Sequence, residues 1–126
     1  MAYDKNNIFA KIIRGEIPCD KVYEDEHTLA FKDIQPARPV HILVIPKGEY
    51  VSMDDFSANA TDAEQAAFIK AIGKVARDAG VADSGYRIIG NTGEDGHQEV
   101  MHLHVHILGG MKSGPMVKSM AKMEAE

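Results

Sequence analysis

Cysteine is nearly absent from this chain: Cys19 stands alone among 126 residues. An internal disulfide is therefore excluded, and a reducing compartment, the cytoplasm, is the expected location. No apolar run is long enough to span a bilayer, and the first residues do not read as a secretory signal, so a membrane is not an expected partner. Basic charge is also short. Lys and Arg number 14 against 19 Asp and Glu, a net charge of −5. That balance leaves no basic stripe for nucleic acid. Any phosphate ligand must be met by local groups. No Walker-type Gly-x-x-x-x-Gly-Lys is present, and neither is an internal repeat or a low-complexity segment. One domain over residues 1–126 is expected, with a core at 5–110 and a C-terminal tail at 111–126.

Local patterns supply the elements. Asn6 or Asn7 can cap a short helix over residues 8–14 that Gly15 stops, with Ile8, Phe9, Ile12 and Ile13 on one face. Residues 21–24 and 28–33 read as strands around a tight turn, and residues 40–45 as a buried strand ended by Pro46. Thr61-Asp62-Ala63-Glu64 is a capping box. It opens the longest helix, to about residue 79, with Phe68, Ile72, Val75, Ala76 and Ala79 on one face. A strand at 86–91 leads into a Gly-rich loop. Pro115 is placed to open a last short helix with Met116, Met120 and Met123 on one face. The class is α+β: an antiparallel sheet of about five strands with one long and one short helix.

The most informative stretch is His102-Leu103-His104-Val105-His106-Ile107-Leu108. Its strict alternation predicts a strand with Leu103, Val105 and Ile107 toward the core and three imidazoles on the other side. Three readings compete. One is a solvated face that uses histidine. The second is a metal site, with Glu99 or Asp95 completing a His-x-His pair. The third is covalent catalysis by one imidazole.

This run resembles the signature of the histidine triad (HIT) superfamily of nucleotidyl hydrolases and transferases. Further blocks agree in order: residues 8–18, Ala30-Phe31-Lys32-Asp33-Ile34-Gln35-Pro36, residues 40–47 and Gln98-Glu99-Val100. They are similar to the histidine triad nucleotide-binding (HINT) branch, the bacterial HinT type in particular. The resemblance runs from about Ile8 to about Val117. It implies a HIT-like fold whose sheet continues across a homodimer, and a purine nucleoside phosphoramidase activity on AMP- or GMP-amine conjugates that needs no metal or other cofactor.

Carried onto this sequence, the resemblance makes His104 the nucleophile that forms a nucleotidyl-imidazole. His102 and His106 would support the phosphate and the orientation of His104, and His41 would link to them from behind. Asp33 would accept from both ribose hydroxyls. Ile8, Phe9, Phe31, Ile34 and Leu43 would wall the base pocket, and Asn91, His97, Glu99 and Val100 would line the phosphate and leaving-group side. Gly90, Gly93 and Gly96 could bring backbone N–H groups to phosphate. The sequence departs from the family where His97 replaces a usual glycine and Met111 a common arginine. Asn7 and Ala10 occupy positions where some members carry a zinc-binding Cys pair. A dinucleoside polyphosphate hydrolase, a nucleotide-binding adaptor with vestigial catalysis, and a metal hydrolase using His102 and His104 are the alternatives.

Overall fold

A computed structural model describes residues 2–125 of the chain. Helix α1 (Ile8–Ile13) is capped by Asn7, whose side chain accepts from the Ala10 N–H at 2.9 Å. Strands β1 (Lys21–Glu24), β2 (Thr28–Lys32) and β3 (Val40–Pro46) follow, then helices α2 (Met53–Asn59) and α3 (Asp62–Asp78). Strands β4 (Tyr86–Gly90) and β5 (Val105–Gly109) and helix α4 (Met120–Ala125) complete the order. The five strands form one antiparallel sheet in the order β1-β2-β3-β5-β4.

Both faces of the sheet are covered. On one, Phe68, Ile72, Val75 and Ala76 of α3 pack against Ala30, Ile42, Val44, Leu103, Val105 and Ile107. The Thr61–Glu64 capping box that starts α3 is closed in both directions. On the other face Phe9 of α1 meets Leu29, Phe31, Leu43 and Ile45. Double coverage explains why β3 reads as a nearly continuous apolar run, broken only by His41. Gly109 lies inside β5 and not in the turn after it. A Cβ there would sit 2.8 Å from Val81 Cγ1, so glycine lets β5 pass directly against Val81 in the connection from α3 to β4.

Three expectations need correction. The sequence pattern predicts the helices at residues 8–14 and 61–79 and a last one from Pro115, and α2 is additional. Helix α2 has a sound start, with Ser52 accepting from the Asp55 N–H and Asp54 and Asp55 in the first turn. It buries only Phe56, too little apolar periodicity to register. Helix α4 begins at Met120 and not at Pro115, because the Arg87 guanidinium holds the carbonyls of Gly114 and Pro115 at 2.6 and 3.5 Å in non-helical chain. Met116 is therefore outside the helix, and Met116, Met120 and Met123 are all exposed. Third, the ladder of the histidine strand starts at Val105 and not at His102. Val44 faces Val105, so a continued register would set Leu103 opposite Pro46, which has no N–H to donate. Among the described residues no helix is long and apolar enough to cross a membrane.

Candidate active site

Release from the ladder shapes the first two histidines. The Leu103 N–H donates to the Tyr50 carbonyl at 2.8 Å, which pins the irregular segment from behind. The Leu103 side chain enters the main core, and His102 turns the other way into complete burial. Its Nε2 lies 2.8 Å from the Pro46 carbonyl and its Nδ1 2.5 Å from the Tyr3 hydroxyl. A carbonyl only accepts, so Nε2 carries the proton and Nδ1 accepts from Tyr3. Burial holds the His102 pKa down at about 4, so the ring is neutral. With both nitrogens engaged, His102 presents none to a phosphate, and of the two roles expected of it the orientation of His104 remains. His102 also has no lone pair to offer a metal.

His104 differs. Its Nδ1 is 2.8 Å from the His102 backbone carbonyl. Nδ1 is therefore the donor, and the lone pair of the neutral ring is on Nε2. Burial lowers the His104 pKa, which favours that neutral form. Phe9 meets the His104 ring edge-on at a centroid distance of 4.9 Å and Phe31 at 5.8 Å. Phe9 thus braces the imidazole.

His106 stands on β5 opposite Leu43 of β3, its ring 5.2 Å from that of His104. A chain of donors reaches it from the β2–β3 loop. The Ala37 N–H donates to His41 Nδ1 at 3.0 Å, so His41 carries its proton on Nε2. That Nε2 is 2.9 Å from His106 Nδ1 and 3.5 Å from the Asp33 carboxylate. His106 Nδ1 consequently accepts, and its Nε2 carries a proton. Burial first, then the neighbouring His104 and His41, bring the His106 pKa down to about 4. Asp33, His41 and His106 each have a ligand atom within 4.8 Å of the others. A cation would have to displace the proton shared by two of them, and the set is closed as a hydrogen-bond chain. Asp33 is fixed by the Gln35 N–H at 2.8 Å on its other oxygen.

The rim comes from the loop between β4 and β5. His97 has φ +61° and its Nε2 lies 3.1 Å from Glu99 Oε1. Glu99 and Asp33 both act electrostatically on His104 and His106, favouring the protonated rings against the larger effect of burial. The loop is held from inside by Gln98, whose amide donates to the Val51 and Val100 carbonyls at 2.6 and 3.0 Å and accepts from the Gly93 N–H at 3.0 Å. The Gly93 N–H is therefore used within the loop and is not offered to phosphate. Gly90 is paired to Val105 in the sheet, and a Cβ on Gly96 would strike the Thr92 backbone. These glycines serve the loop's own closure. Val100 packs on the Phe9 cluster, while Phe31 and Leu43 are buried in it. Ile8 is half exposed and Ile34 is 90% exposed, so neither forms a closed wall. Asn91 follows β4 directly and is partly buried.

Sequence reasoning did not find Tyr3 or assign Gln98 a role. A lone Tyr in an N-terminal segment carries no periodic signal. A Gln beside glycines reads as ordinary loop.

Comparison with known proteins agrees with this geometry. Residues 14–113 match the model of the HIT domain family. An uncharacterized 13.2 kDa HIT-like protein of Azospirillum brasilense is 64% identical over 115 residues, covering 91% of this chain and 94% of that protein. The purine nucleoside phosphoramidase of Escherichia coli K12 is 47% identical over 115 residues, covering 90% of this chain and 94% of that enzyme. The structure of a HIT family hydrolase from Clostridium thermocellum superposes with a TM-score of 0.82 at 44% identity, covering 91% of this chain and 99% of that one. On these grounds, and with its histidines arranged as described, the chain belongs to the HIT domain family.

Proposed function

We propose that this protein is a purine nucleoside phosphoramidase that hydrolyses the P–N bond of AMP- or GMP-amine conjugates through a nucleotidyl-His104 intermediate. The observation that carries the reading is the hydrogen bond from His104 Nδ1 to the His102 carbonyl, which leaves Nε2 free and nucleophilic. The 47% identity to the Escherichia coli phosphoramidase supports the substrate class. Nε2 attacks the α-phosphorus, a P–N bond to the ring forms, and the P–N bond to the amine breaks. The nitrogen leaves as the neutral amine with a proton taken up from solvent, while the Nε2–H of His106 donates a hydrogen bond to the phosphoryl group. The ring then bears a positive charge, which the Nδ1–H bond to the carbonyl stabilises. Water attacks the same phosphorus and gives a proton back to solvent, the P–N bond to the ring breaks, and AMP or GMP leaves the neutral imidazole. Asp33 holds the ribose hydroxyls, and Glu99 faces the leaving amine.

The active form is a homodimer in the cytoplasm. Strand β4 is an outer strand of the sheet, with Ile88 and Tyr86 exposed and neither Pro nor Lys to protect it. Such an edge invites pairing with a second copy.

The test is turnover of an adenosine 5′-phosphoramidate in excess chelator, with acid trapping of the adduct. Wild type should accumulate an AMP-protein adduct on His104. His104→Ala should lose roughly 10⁴-fold or more in turnover and still bind AMP. Near-normal turnover by that variant would end the covalent reading.

A further inference from the structure

We propose that Tyr3 is a positioning residue for the nucleophile, acting through His102. The inference rests on His104 being the nucleophile. Tyr3 precedes α1, yet it is not a loose end. Asp4 accepts from the Asn6 N–H at 2.9 Å through its carboxylate and from the Asn7 side-chain amide at 2.8 Å through its carbonyl. The Arg14 guanidinium donates to the Lys5 carbonyl at 2.9 Å, and Lys5 pairs with Glu49 at 3.7 Å. These contacts tie the segment to α1 and to the loop after β3. They deliver the Tyr3 ring edge-on to His102 at 5.6 Å between centroids.

The hydroxyl then completes a chain with one permitted direction. Tyr3 O–H donates to His102 Nδ1, and His102 Nε2–H donates to the Pro46 carbonyl. The His102 ring is held at both ends and cannot turn over. Its residue also supplies the carbonyl that takes the Nδ1 proton of His104. Removing the hydroxyl leaves Nδ1 of a fully buried ring without a donor. The ring can then turn or change tautomer, and either shift moves the carbonyl on which the His104 tautomer depends. Burial raises the Tyr3 pKa, so the donor keeps its proton at neutral pH. Tyr3 itself contacts neither nitrogen of His104, and its effect belongs to the chemical step and not to substrate binding.

Tyr3→Phe keeps the ring and removes only the hydroxyl. The experiment compares wild type, Tyr3→Phe, Tyr3→Ala and His104→Ala by nitrogen-15 NMR of the histidine rings and by kcat and KM for an adenosine 5′-phosphoramidate. In wild type His102 should read as a single Nε2–H tautomer. In Tyr3→Phe its Nδ1 resonance should move, kcat should fall roughly tenfold to a hundredfold, and KM should stay within about twofold. Tyr3→Ala should show the same pattern, at least as strongly. An unchanged kcat in Tyr3→Phe, a loss carried by KM, or a fall in kcat with His102 nitrogens unmoved would each overturn the proposal while leaving an inactive His104→Ala, and hence the nucleophile, intact. An active His104→Ala would instead overturn the nucleophile, and the positioning role with it.

Discussion

Acid should weaken this fold before most of its carboxylates titrate, and His102 sets a large part of the effect. In the folded chain its pKa is held at about 4 by burial, against about 6.5 when unfolded. The folded value is the lower one. Between these two values the unfolded chain binds the extra proton, so stability falls as pH drops through that window and levels off below it. The full gap corresponds to about 3 kcal/mol, of which roughly 2 kcal/mol is lost between pH 7 and pH 4.5. His104 and His106, also pushed down by burial first, act in the same direction. Glu24, held at about 2 by Lys21 and Lys47, loses its charge only at lower pH. Urea unfolding at a series of pH values and one protein concentration measures the slope. His102→Asn, which cannot titrate, should be less stable at pH 7 but lose roughly 2 kcal/mol less on acidification than wild type. Parallel stability curves for the two proteins, with equal dependence on urea, would refute the assignment of this pH slope to His102.

Three further outcomes follow from the site. Asp33→Ala should weaken ribonucleotide binding and abolish discrimination against 2′-deoxy substrates, because a carboxylate built to meet hydroxyls loses its partners in either case; titration calorimetry that finds equal losses for both ligands counts against it. His97→Gly should raise stability by about 1 kcal/mol, since glycine adopts the φ of +61° without a Cβ penalty, and a melting temperature at or below wild type would show that the loop is not strained there. Glu99→Ser should cost up to about 1 kcal/mol in kcat/KM with leaving groups that bear an ammonium group and nothing with neutral alkyl amines; equal losses would make Glu99 structural.

The parts of the fold that could be read in advance are those where one local pattern has one physical meaning. The Thr61 capping box, the Asn7 cap and the apolar run of β3 lie where the sequence places them. Alternation at residues 102–108 put Leu103, Val105 and Ile107 in the core correctly. It could not say that the opposite side is dry. Alternation separates two faces, but the cover over the histidine face comes from Phe9 and Tyr3, about a hundred residues away in the chain. The partners of His102 were out of reach of the sequence for the same reason, since Tyr3 and Pro46 meet it only in the folded chain. Helix α2 escaped because a single buried phenylalanine makes no period.

The departure of the histidine segment from the ladder has a consequence for anyone who would transplant it. Strand β5 lies between β3 and β4, and in regular pairing there its carbonyls are consumed by neighbouring N–H groups. The interruption before Val105 frees the His102 carbonyl to hold the proton of the next imidazole, that of His104. Grafted onto an uninterrupted hairpin, the same seven residues would still display three rings. The middle ring would lose its acceptor and exchange freely between tautomers. What has to be copied is the proline opposite, with the gap it makes in the pairing, as much as the histidines themselves.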